Sequence, residues 1–393
     1  MRSVMKLAVL FFMIVVMIAP LTRTGEATIY KVPDPLTSGP FPVGITSTVF
    51  IDKSRTDNFT KEPRTLVTEI WYPATDDARQ KPKNKYSDFI PAEARSQIDA
   101  LMKLGFKTSL DELDKNFWND SVRDADVRRG RFPVVVFSHG NGGTRTQNTF
   151  WCDYLASHGY IVVSADHTAN ARATIINGRV IPYQNGEREN SAKDRPRDLS
   201  FLLDQMIAWD KGADKRFAAR IDTDRACAAG MSFGSYTAII VADQDPRFKA
   251  VVAMSGAPES HTNLTVPSML MLGTEDMTIR AAGNARIRDN HAAHKGPSYL
   301  IEIKKGGHYS FTDMFKINKN YGDGVGSGKR RDTGEPIEYT PMEATYKIIN
   351  SYSIAFLGYH LKGQKDYLGF LKSNHWPDTM IWEAKNNGQA AGK

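Results

Sequence analysis

A serine between two glycines has the setting in this 393-residue chain that best suits covalent chemistry. The segment Gly230–Gly234 has the sequence Gly-Met-Ser-Phe-Gly, follows the small-residue run Ala226–Ala229 and precedes a predicted helix. Both glycines are needed because a Cβ at either position would clash in so sharp a strand-to-helix turn. The pattern predicts that Ser232 presents its hydroxyl above a sheet edge as a nucleophile. A purely structural turn is the alternative.

A histidine late in the chain is the candidate base. His308 lies in the loop Gly306–Phe311, after the last strand predicted in the α/β region. An ordinary imidazole pKa of about 6.5 suits both the removal of a proton from a serine and its return to a leaving group. We therefore expect His308 to reach Ser232, and a solvated loop histidine is the alternative.

The candidate acid follows a buried run. Asp276 comes directly after the apolar segment Pro267–Gly273, where a carboxylate can orient an imidazole and stabilise its cation. Glu275 is adjacent and is an alternative, as is a solvated role for both carboxylates. We favour Asp276 because a shorter side chain holds an imidazole more rigidly.

A flexible loop in the first half of the chain is the candidate oxyanion site. The segment Phe137–Gly143 has the sequence Phe-Ser-His-Gly-Asn-Gly-Gly and follows a predicted strand. Acyl transfer needs preorganised donors for a developing oxyanion. We assign the backbone amides of Asn141 and Phe233 to this role. We assign His139 to packing, because it precedes the nucleophile whereas the base of such enzymes follows it.

The other histidines and the pocket are less well defined by the sequence. His291 and His294 lie on a polar helix without a third ligand, and His261 and His360 are isolated, so we predict no metal site. Three side chains flank the catalytic loops and are candidate substrate-binding residues, with ordinary core packing at least as good an interpretation. They are Phe150, Trp151 and Met277.

The elements that must position these residues alternate between strand and helix. Apolar runs predict strands over 43–51, 65–72, 133–138, 160–165, 226–229, 249–255, 267–273 and 298–303. Helical periodicity appears over 91–104, 146–157, 196–209, 235–243, 279–293 and 342–361. Alternation of this kind predicts an α/β fold with a mostly parallel sheet covered on both faces and an N-terminal strand pair added. We expect one catalytic domain over 28–393, with 74–130 and 316–341 as surface excursions.

The N-terminus is typical of an export signal. Arg2 and Lys6 precede the apolar run Leu7–Ala19, and small residues near Ala27 suit a signal peptidase. We expect residues 1–27 to be removed and the protein to be secreted or periplasmic, and an uncleaved anchor is the alternative. The formal net charge is +7, but the chain has no dense Lys/Arg run beyond Lys329–Arg331. We therefore expect no nucleic-acid partner and at most peripheral membrane contact.

The chain contains two cysteines, Cys152 and Cys227. An exported protein with two could form one disulfide. We favour free, buried thiols, because Cys152 falls on a predicted helix and Cys227 inside a predicted buried strand.

These motifs together resemble the platelet-activating-factor-acetylhydrolase-like and dienelactone-hydrolase-like branch of the α/β-hydrolases, over about residues 65–361. Besides the serine turn and His308, the resemblance rests on 71–74 (Trp-Tyr-Pro-Ala), 136–140 (Val-Phe-Ser-His-Gly), 154–160 (Tyr-Leu-Ala-Ser-His-Gly-Tyr) and 197–204 (Arg-Asp-Leu-Ser-Phe-Leu-Leu-Asp). It implies an α/β-hydrolase fold and hydrolysis of ester bonds, often with short acyl groups, without a cofactor.

The chain departs from these relatives at three positions. Met231 precedes the nucleophile where they usually carry histidine. Ser255 occupies the place of the acid in the animal acetylhydrolases and cannot serve, so the acid moves to Asp276, as in polyester hydrolases. Ser232 itself differs from the cysteine of true dienelactone hydrolases and argues against their reaction.

The sequence thus predicts an exported serine carboxylic-ester hydrolase that works through an acyl-enzyme, with a small-molecule or lipid-like ester as substrate. A lactonase, thioesterase or polyester hydrolase with the same triad is an alternative. An inactive α/β-hydrolase-fold binding protein is a second one. The oligomeric state is not indicated by the sequence.

Overall fold

A computed structural model describes residues 32–259, 263–330 and 332–385. The predicted signal over residues 1–27 and His261 lie outside the described residues. The strands are β1 (Val43–Thr56), β2 (Pro63–Pro73), β3 (Ser121–Arg123), β4 (Phe132–Ser138), β5 (Ile161–Ala165), β6 (Ala173–Ile176), β7 (Arg179–Pro182), β8 (Ile221–Met231), β9 (Phe248–Met254), β10 (Ser268–Gly273), β11 (Ser298–Ile303), β12 (Ser327–Lys329), β13 (Pro336–Glu338) and β14 (Met380–Lys385). The helices are α1 (Arg95–Phe106), α2 (Leu110–Asn116), α3 (Thr149–Ser157), α4 (Arg188–Ala208), α5 (Phe233–Gln244), α6 (Arg280–Ala293), α7 (Met314–Ile317), α8 (Met342–His360) and α9 (Tyr367–Leu371).

The main sheet has the order β14-β11-β10-β9-β8-β4-β5-β2-β1-β3. Its central strands, from β11 to β5, run parallel to one another. On the β5 side, β2 and β1 continue the sheet in antiparallel fashion, and at the opposite edge β14 pairs antiparallel with β11. The predicted parallel sheet with an added N-terminal strand pair is confirmed.

Side chains of the central strands are buried on both faces of the sheet. In β4, Val134 and Val136 pack into one apolar cluster with α4, α5 and α6. Val135 and Phe137 pack into the other cluster, with α3 and α8. An apolar run without polar alternation is expected where helices cover both faces. The strand ends that carry the candidate site are thus fixed by two packed layers.

Helix α4 differs from its predicted bounds. The sequence predicts a start at Pro196, because proline lacks an amide hydrogen and is common in a first helical turn. The helix begins at Arg188 instead, with Pro196 inside it. The added turns bury Ser191 and Arg195, so tertiary packing outweighs the local preference of the proline.

The two segments predicted as surface excursions also bury side chains. Residues 74–130 supply α1 and α2, whose Met102 and Leu113 join the cluster that contains α3 and α8. Residues 316–341 form the β12–β13 hairpin, and Val325 is fully buried. We correct the prediction in this respect. Both segments contribute to the core, although their mean composition is polar.

Cys152 and Cys227 are both buried and free, as favoured from the sequence. Burial raises the pKa of each thiol above its ordinary value. Within the described residues, no helix combines the length and apolar character needed to cross a bilayer.

Candidate active site

Ser232 lies in a strained turn between β8 and α5. Its backbone has φ 57° and ψ −118°, values that residues with a Cβ rarely adopt. A Cβ on Gly230 would collide with the backbone of Gly234, and a Cβ on Gly234 would collide with the carbonyl of Ser138. The amide of Ser232 donates to the Met254 carbonyl at 2.7 Å and fixes the turn against β9. The hydroxyl opens into a pocket.

The imidazole of His308 lies in the same pocket as the Ser232 hydroxyl. Its Nδ1 is 2.8 Å from Asp276 Oδ2, and its ring is buried. The backbone amide of His308 donates to Asp323 Oδ1 at 3.0 Å, which ties this loop to the segment before β12. No hydrogen bond joins Ser232 to His308 within the described residues. Catalytic hydrogen bonds are often long in unliganded enzymes and shorten when substrate binds.

The carboxylate of Asp276 is held on both oxygens. Oδ1 accepts from the amides of Thr278 and Ile279, each at 2.9 Å. Oδ2 accepts from Ser255 Oγ and faces His308. The neighbouring Glu275 instead pairs with Arg330 at 2.5 Å. Geometry therefore favours Asp276 over Glu275 as the partner of the imidazole.

The two amides expected to bind an oxyanion come from different elements. Asn141 lies in the loop after β4, and Phe233 begins α5. Neither amide donates a hydrogen bond to another described residue. Asn141 lines the pocket together with Ser232. His139 is fully buried, with Nδ1 2.7 Å from the Gly140 carbonyl and Nε2 accepting from the His167 amide at 3.1 Å. This is the packing role that the sequence favours.

The pocket has a cavity volume of about 140 Å³ and a largely apolar wall. Residues 74–130 contribute one side of it, and α7 with its flanking residues contributes another. The side chains involved were not identified from the sequence. They are Tyr86, Met102, Phe106, Phe117, Arg172, Tyr309, Thr312, Asp313, Met314 and Ile317.

The three predicted substrate-binding residues lie elsewhere, and we correct that prediction. Phe150 stacks on Tyr346 with ring centroids 3.9 Å apart, and Trp151 donates from Nε1 to Ser353 Oγ. Both belong to the α3–α8 interface, because α3 turns these side chains toward the core. Met277 lines a separate cavity beside Tyr339.

His291, His294 and His360 each pair with a hydroxyl group. His291 contacts Ser298 Oγ, and His294 contacts Ser268 Oγ. His360 Nε2 lies 2.9 Å from the Tyr299 hydroxyl. Over the described ranges, no three histidine, cysteine, aspartate or glutamate side chains gather in a way that could hold a metal ion.

Two family models match the chain. The first, platelet-activating factor acetylhydrolase, isoform II, matches residues 27–193. The second, PET hydrolase-like, matches residues 124–321, which contain the serine turn, Asp276 and His308.

Individual relatives agree with these models. Platelet-activating factor acetylhydrolase of Cavia porcellus is 23% identical, over 93% of this chain and 84% of that protein. Cutinase est2 of Thermobifida alba is 25% identical, over 38% of this chain and 43% of that protein.

A solved structure of ferulic acid esterase from Streptomyces cinnamoneus superposes with a TM-score of 0.65 at 22% identity. The match covers 82% of this chain and 91% of that one, and it confirms the α/β-hydrolase fold. Since the PET hydrolase-like model spans half of the sequence, the chain belongs to the PET hydrolase-like family and is an ester-hydrolysing enzyme of the α/β-hydrolase class.

Proposed function

We propose that this protein is an exported serine carboxylic-ester hydrolase that uses Ser232, His308 and Asp276 and prefers short acyl groups. The observation that carries the proposal is the Asp276–His308 hydrogen bond beside a pocket that both His308 and Ser232 line. A single catalytic domain over 28–393 is part of the proposal. Export rests on the sequence of residues 1–27.

The mechanism follows from the two nitrogens of His308. Asp276 engages Nδ1 and so fixes the tautomer that leaves Nε2 free to accept a proton. As Ser232 Oγ attacks the ester carbonyl, its proton passes to Nε2 and the carbonyl oxygen becomes an oxyanion. The imidazolium then returns the proton to the departing alcohol, and an acyl-enzyme on Ser232 remains.

Hydrolysis of the acyl-enzyme repeats these steps with water. His308 removes a proton from water as it attacks the acyl carbon, and the same proton returns to Ser232 Oγ as the acid departs. We assign stabilisation of both oxyanions to the amides of Asn141 and Phe233. A donor of this kind is worth about 3 kcal/mol in the transition state.

Two features support a short acyl group. The cavity is small, and Met102, Phe106 and Phe117 of the 74–130 segment wall it in. A confined apolar space admits a few methylenes and excludes longer chains by overlap with its walls.

The second candidate is a polyester hydrolase. The PET hydrolase-like family model and the relationship to a cutinase favour it. The wall formed by residues 74–130 favours small esters instead, since a polymer chain needs an open groove. Lactonase and thioesterase activities would use the same three residues.

A substrate panel on the purified mature protein separates these functions. We expect kcat/KM to be highest for p-nitrophenyl acetate or butyrate and to fall toward the decanoate, with little release of product from a polyester film. A maximum at long chains, on lactones or on the film would contradict the short-acyl assignment. N-terminal sequencing of exported protein tests the proposed removal of residues 1–27.

A further inference from the structure

Arg195 is a fully buried arginine that the mechanism above does not use. It lies in the part of α4 that precedes Pro196 and points toward the loop after β4. Its Nη1 donates to the His139 carbonyl at 2.7 Å, and its Nη2 donates to the Gly140 carbonyl at 3.2 Å. Burial lowers the pKa of Arg195 to about 9, which leaves the guanidinium charged at neutral pH.

The contact of Arg195 with the Gly140 carbonyl bears on one half of the assigned oxyanion site. The Gly140 carbonyl belongs to the same peptide group as the Asn141 amide. All described peptide bonds are trans, so this carbonyl and this amide point in opposite directions. Anchoring the Gly140 oxygen therefore fixes the direction of the Asn141 N–H.

The other half of the site is held through an aromatic ring. The guanidinium carbon of Arg195 lies 4.5 Å from the centroid of the Phe233 ring, within the range of a cation–π interaction. Phe233 is the first residue of α5, and its backbone amide is the second assigned donor. One buried cation thus contacts the peptide group that carries the Asn141 amide and also the ring of Phe233.

Two further groups reinforce the anchoring of the loop. His139 Nε2 accepts from the His167 amide, so in the neutral ring Nδ1 carries the proton and donates to the Gly140 carbonyl. Arg195 Nη2 also donates to Asn170 Oδ1, and the Asn170 carbonyl accepts from the Gly142 amide at 3.0 Å. Donors on a carbonyl oxygen polarise its peptide group and strengthen the N–H as a donor.

We infer that Arg195 is a positioning residue for the oxyanion hole: it orients and polarises the Gly140–Asn141 peptide group and seats the Phe233 ring. This inference rests on the proposed function. It predicts that Arg195 acts on transition-state stabilisation, with little effect on substrate binding.

The test compares oxoesters with thionoesters of the same acid. Thionoesters develop charge on sulfur, which hydrogen-bond donors placed for oxygen stabilise less well. We expect Arg195→Met and Arg195→Lys to lower kcat on the oxoester by at least about tenfold, with KM changed less than about twofold. In both variants the oxo-to-thiono ratio of kcat/KM should also fall, which a general loss of packing would not cause.

Arg64→Lys is the matched control. Arg64 is also buried, but it pairs with Asp57 and Asp198 and donates to the Thr168 carbonyl, not to those of His139 and Gly140. Its variant should keep the wild-type oxo-to-thiono ratio even if its melting temperature falls. Should the Arg195 variants not fold, Asn170→Ala removes one acceptor of Arg195, together with a donor to Asn141 Oδ1, and should lower the ratio in the same direction.

A wild-type ratio in folded Arg195→Lys, or in Asn170→Ala if the Arg195 variants do not fold, would overturn the inference. The proposed function fails separately, if wild-type activity does not depend on Ser232. The two failures are therefore distinguishable.

A second observation concerns charge in the pocket. Arg172 lines the pocket beside the catalytic residues, donates from Nε to the Gly142 carbonyl and lies over the Phe106 ring. Among the described residues, no carboxylate lies within ion-pair distance of it. Among the described residues that line the pocket, the one carboxylate is Asp313, and Lys316 pairs with it at 2.9 Å. The pocket therefore carries one uncompensated positive charge.

The geometry points to esters whose acyl chain ends in a carboxylate as favoured substrates, with Arg172 binding that group. A planar guanidinium matches a carboxylate through paired hydrogen bonds. This also rests on the proposed function. Since Arg172 is exposed, the preference is expected to weaken as salt concentration rises.

The test compares the mono-p-nitrophenyl ester of adipic acid with its methyl-capped neutral analogue. We expect the wild type to prefer the anionic ester by about threefold to fivefold in kcat/KM at low salt, mainly through KM. Arg172→Gln should abolish the preference and Arg172→Glu should invert it. Arg179→Gln is the matched control, because it removes the same charge from an exposed position on the hairpin that follows Arg172, and Arg179 does not line the pocket.

A phosphate-terminated analogue of the same length separates recognition of carboxylate from recognition of any anion. An equal preference for both anions would show that Arg172 binds any terminal anion, and it would overturn the proposal that carboxylates are the favoured group. The absence of a preference in the wild type, or its persistence in Arg172→Gln, would overturn the proposal while leaving the hydrolase assignment intact.

Discussion

Ser255 donates a hydrogen bond from Oγ to Asp276 Oδ2, and Ser255 Oγ also lies 3.1 Å from His308 Nδ1. Ser255 directly follows β9, the strand next to the serine turn, and has φ 56°, while Asp276 follows β10, the next strand of the sheet. Two neighbouring strand ends therefore place a side chain against the same nitrogen of the imidazole. The acid could in principle come from either strand.

This arrangement predicts that the acid can be moved. Asp276→Asn should lower kcat by about four orders of magnitude, since the amide favours the wrong imidazole tautomer. Adding Ser255→Asp to this variant should recover at least about tenfold of the lost activity, because a carboxylate then reaches His308 Nδ1. Aspartate also tolerates the positive φ at this position. Steady-state kinetics of both variants provide the measurement, with Ser255→Asn in Asp276→Asn as the uncharged control that should recover nothing.

Glu275 and Asp276 should differ sharply in their effect on turnover. Glu275 pairs with Arg330 and does not contact the imidazole, so Glu275→Gln should keep kcat within about threefold of the wild type. The same amide substitution at Asp276 should nearly abolish turnover. A harmless Asp276→Asn together with a damaging Glu275→Gln would show that the acid is assigned to the wrong carboxylate.

His158 provides a prediction for the pH dependence of stability. Burial lowers the pKa of His158 to about 4, and its Nε2 donates to the Thr37 carbonyl at 2.9 Å. Nδ1 is buried and has no hydrogen-bond partner among the described residues, so protonation there would create an unpaired buried charge. The pKa of His158 in the folded protein lies below its unfolded value of about 6.5. The favourable contribution of the neutral, buried imidazole to the free energy of unfolding is therefore fully present above about pH 6.5.

The contribution should be lost as the pH falls from about 6.5 to about 4, by up to about 1.4 kcal/mol per pH unit. Chemical denaturation of the wild type and of His158→Gln, followed between pH 7.5 and 4.5, measures it. We expect the difference in unfolding free energy between the two proteins to shrink or change sign at low pH. A difference that stays constant across this range would contradict the account.

The parts of the candidate site that come from short local motifs could be predicted from the sequence. The spacing of Gly230 and Gly234 is required by the collision of a Cβ with neighbouring backbone, so it can be recognised without a structure. Asp276 and His308 each follow a buried strand, and parallel strands bring their carboxyl ends to one edge. The relative positions of these three residues thus follow from topology.

The pocket wall could not be predicted in the same way. Phe106 and Phe117 lie on polar segments far from the motifs in the chain, and they reach the pocket only through tertiary packing. Phe150 and Trp151 were misassigned because proximity in sequence to a catalytic loop does not specify which face of α3 points inward. Arg195 was not identified from the sequence, because the helix was predicted to begin at Pro196, one residue after it.

Short strands were also missed in the sequence. Strand β3 is three residues long, and the hairpins β6–β7 and β12–β13 are short and partly polar. Such strands bury little apolar surface, so they leave a weak alternation in the sequence. Strand β3 takes its position from pairing with the longer β1, whereas β6 pairs with β7 and β12 pairs with β13.

Covalent labelling of the serine tests the central claim most directly. A fluorophosphonate probe should label the wild-type protein once, and mass spectrometry of the digested product should place the adduct on Ser232. Ser232→Ala should lose both labelling and esterase activity with little change in melting temperature, because only one small hydroxyl is removed. An adduct on another residue, or esterase activity retained by Ser232→Ala, would contradict the account.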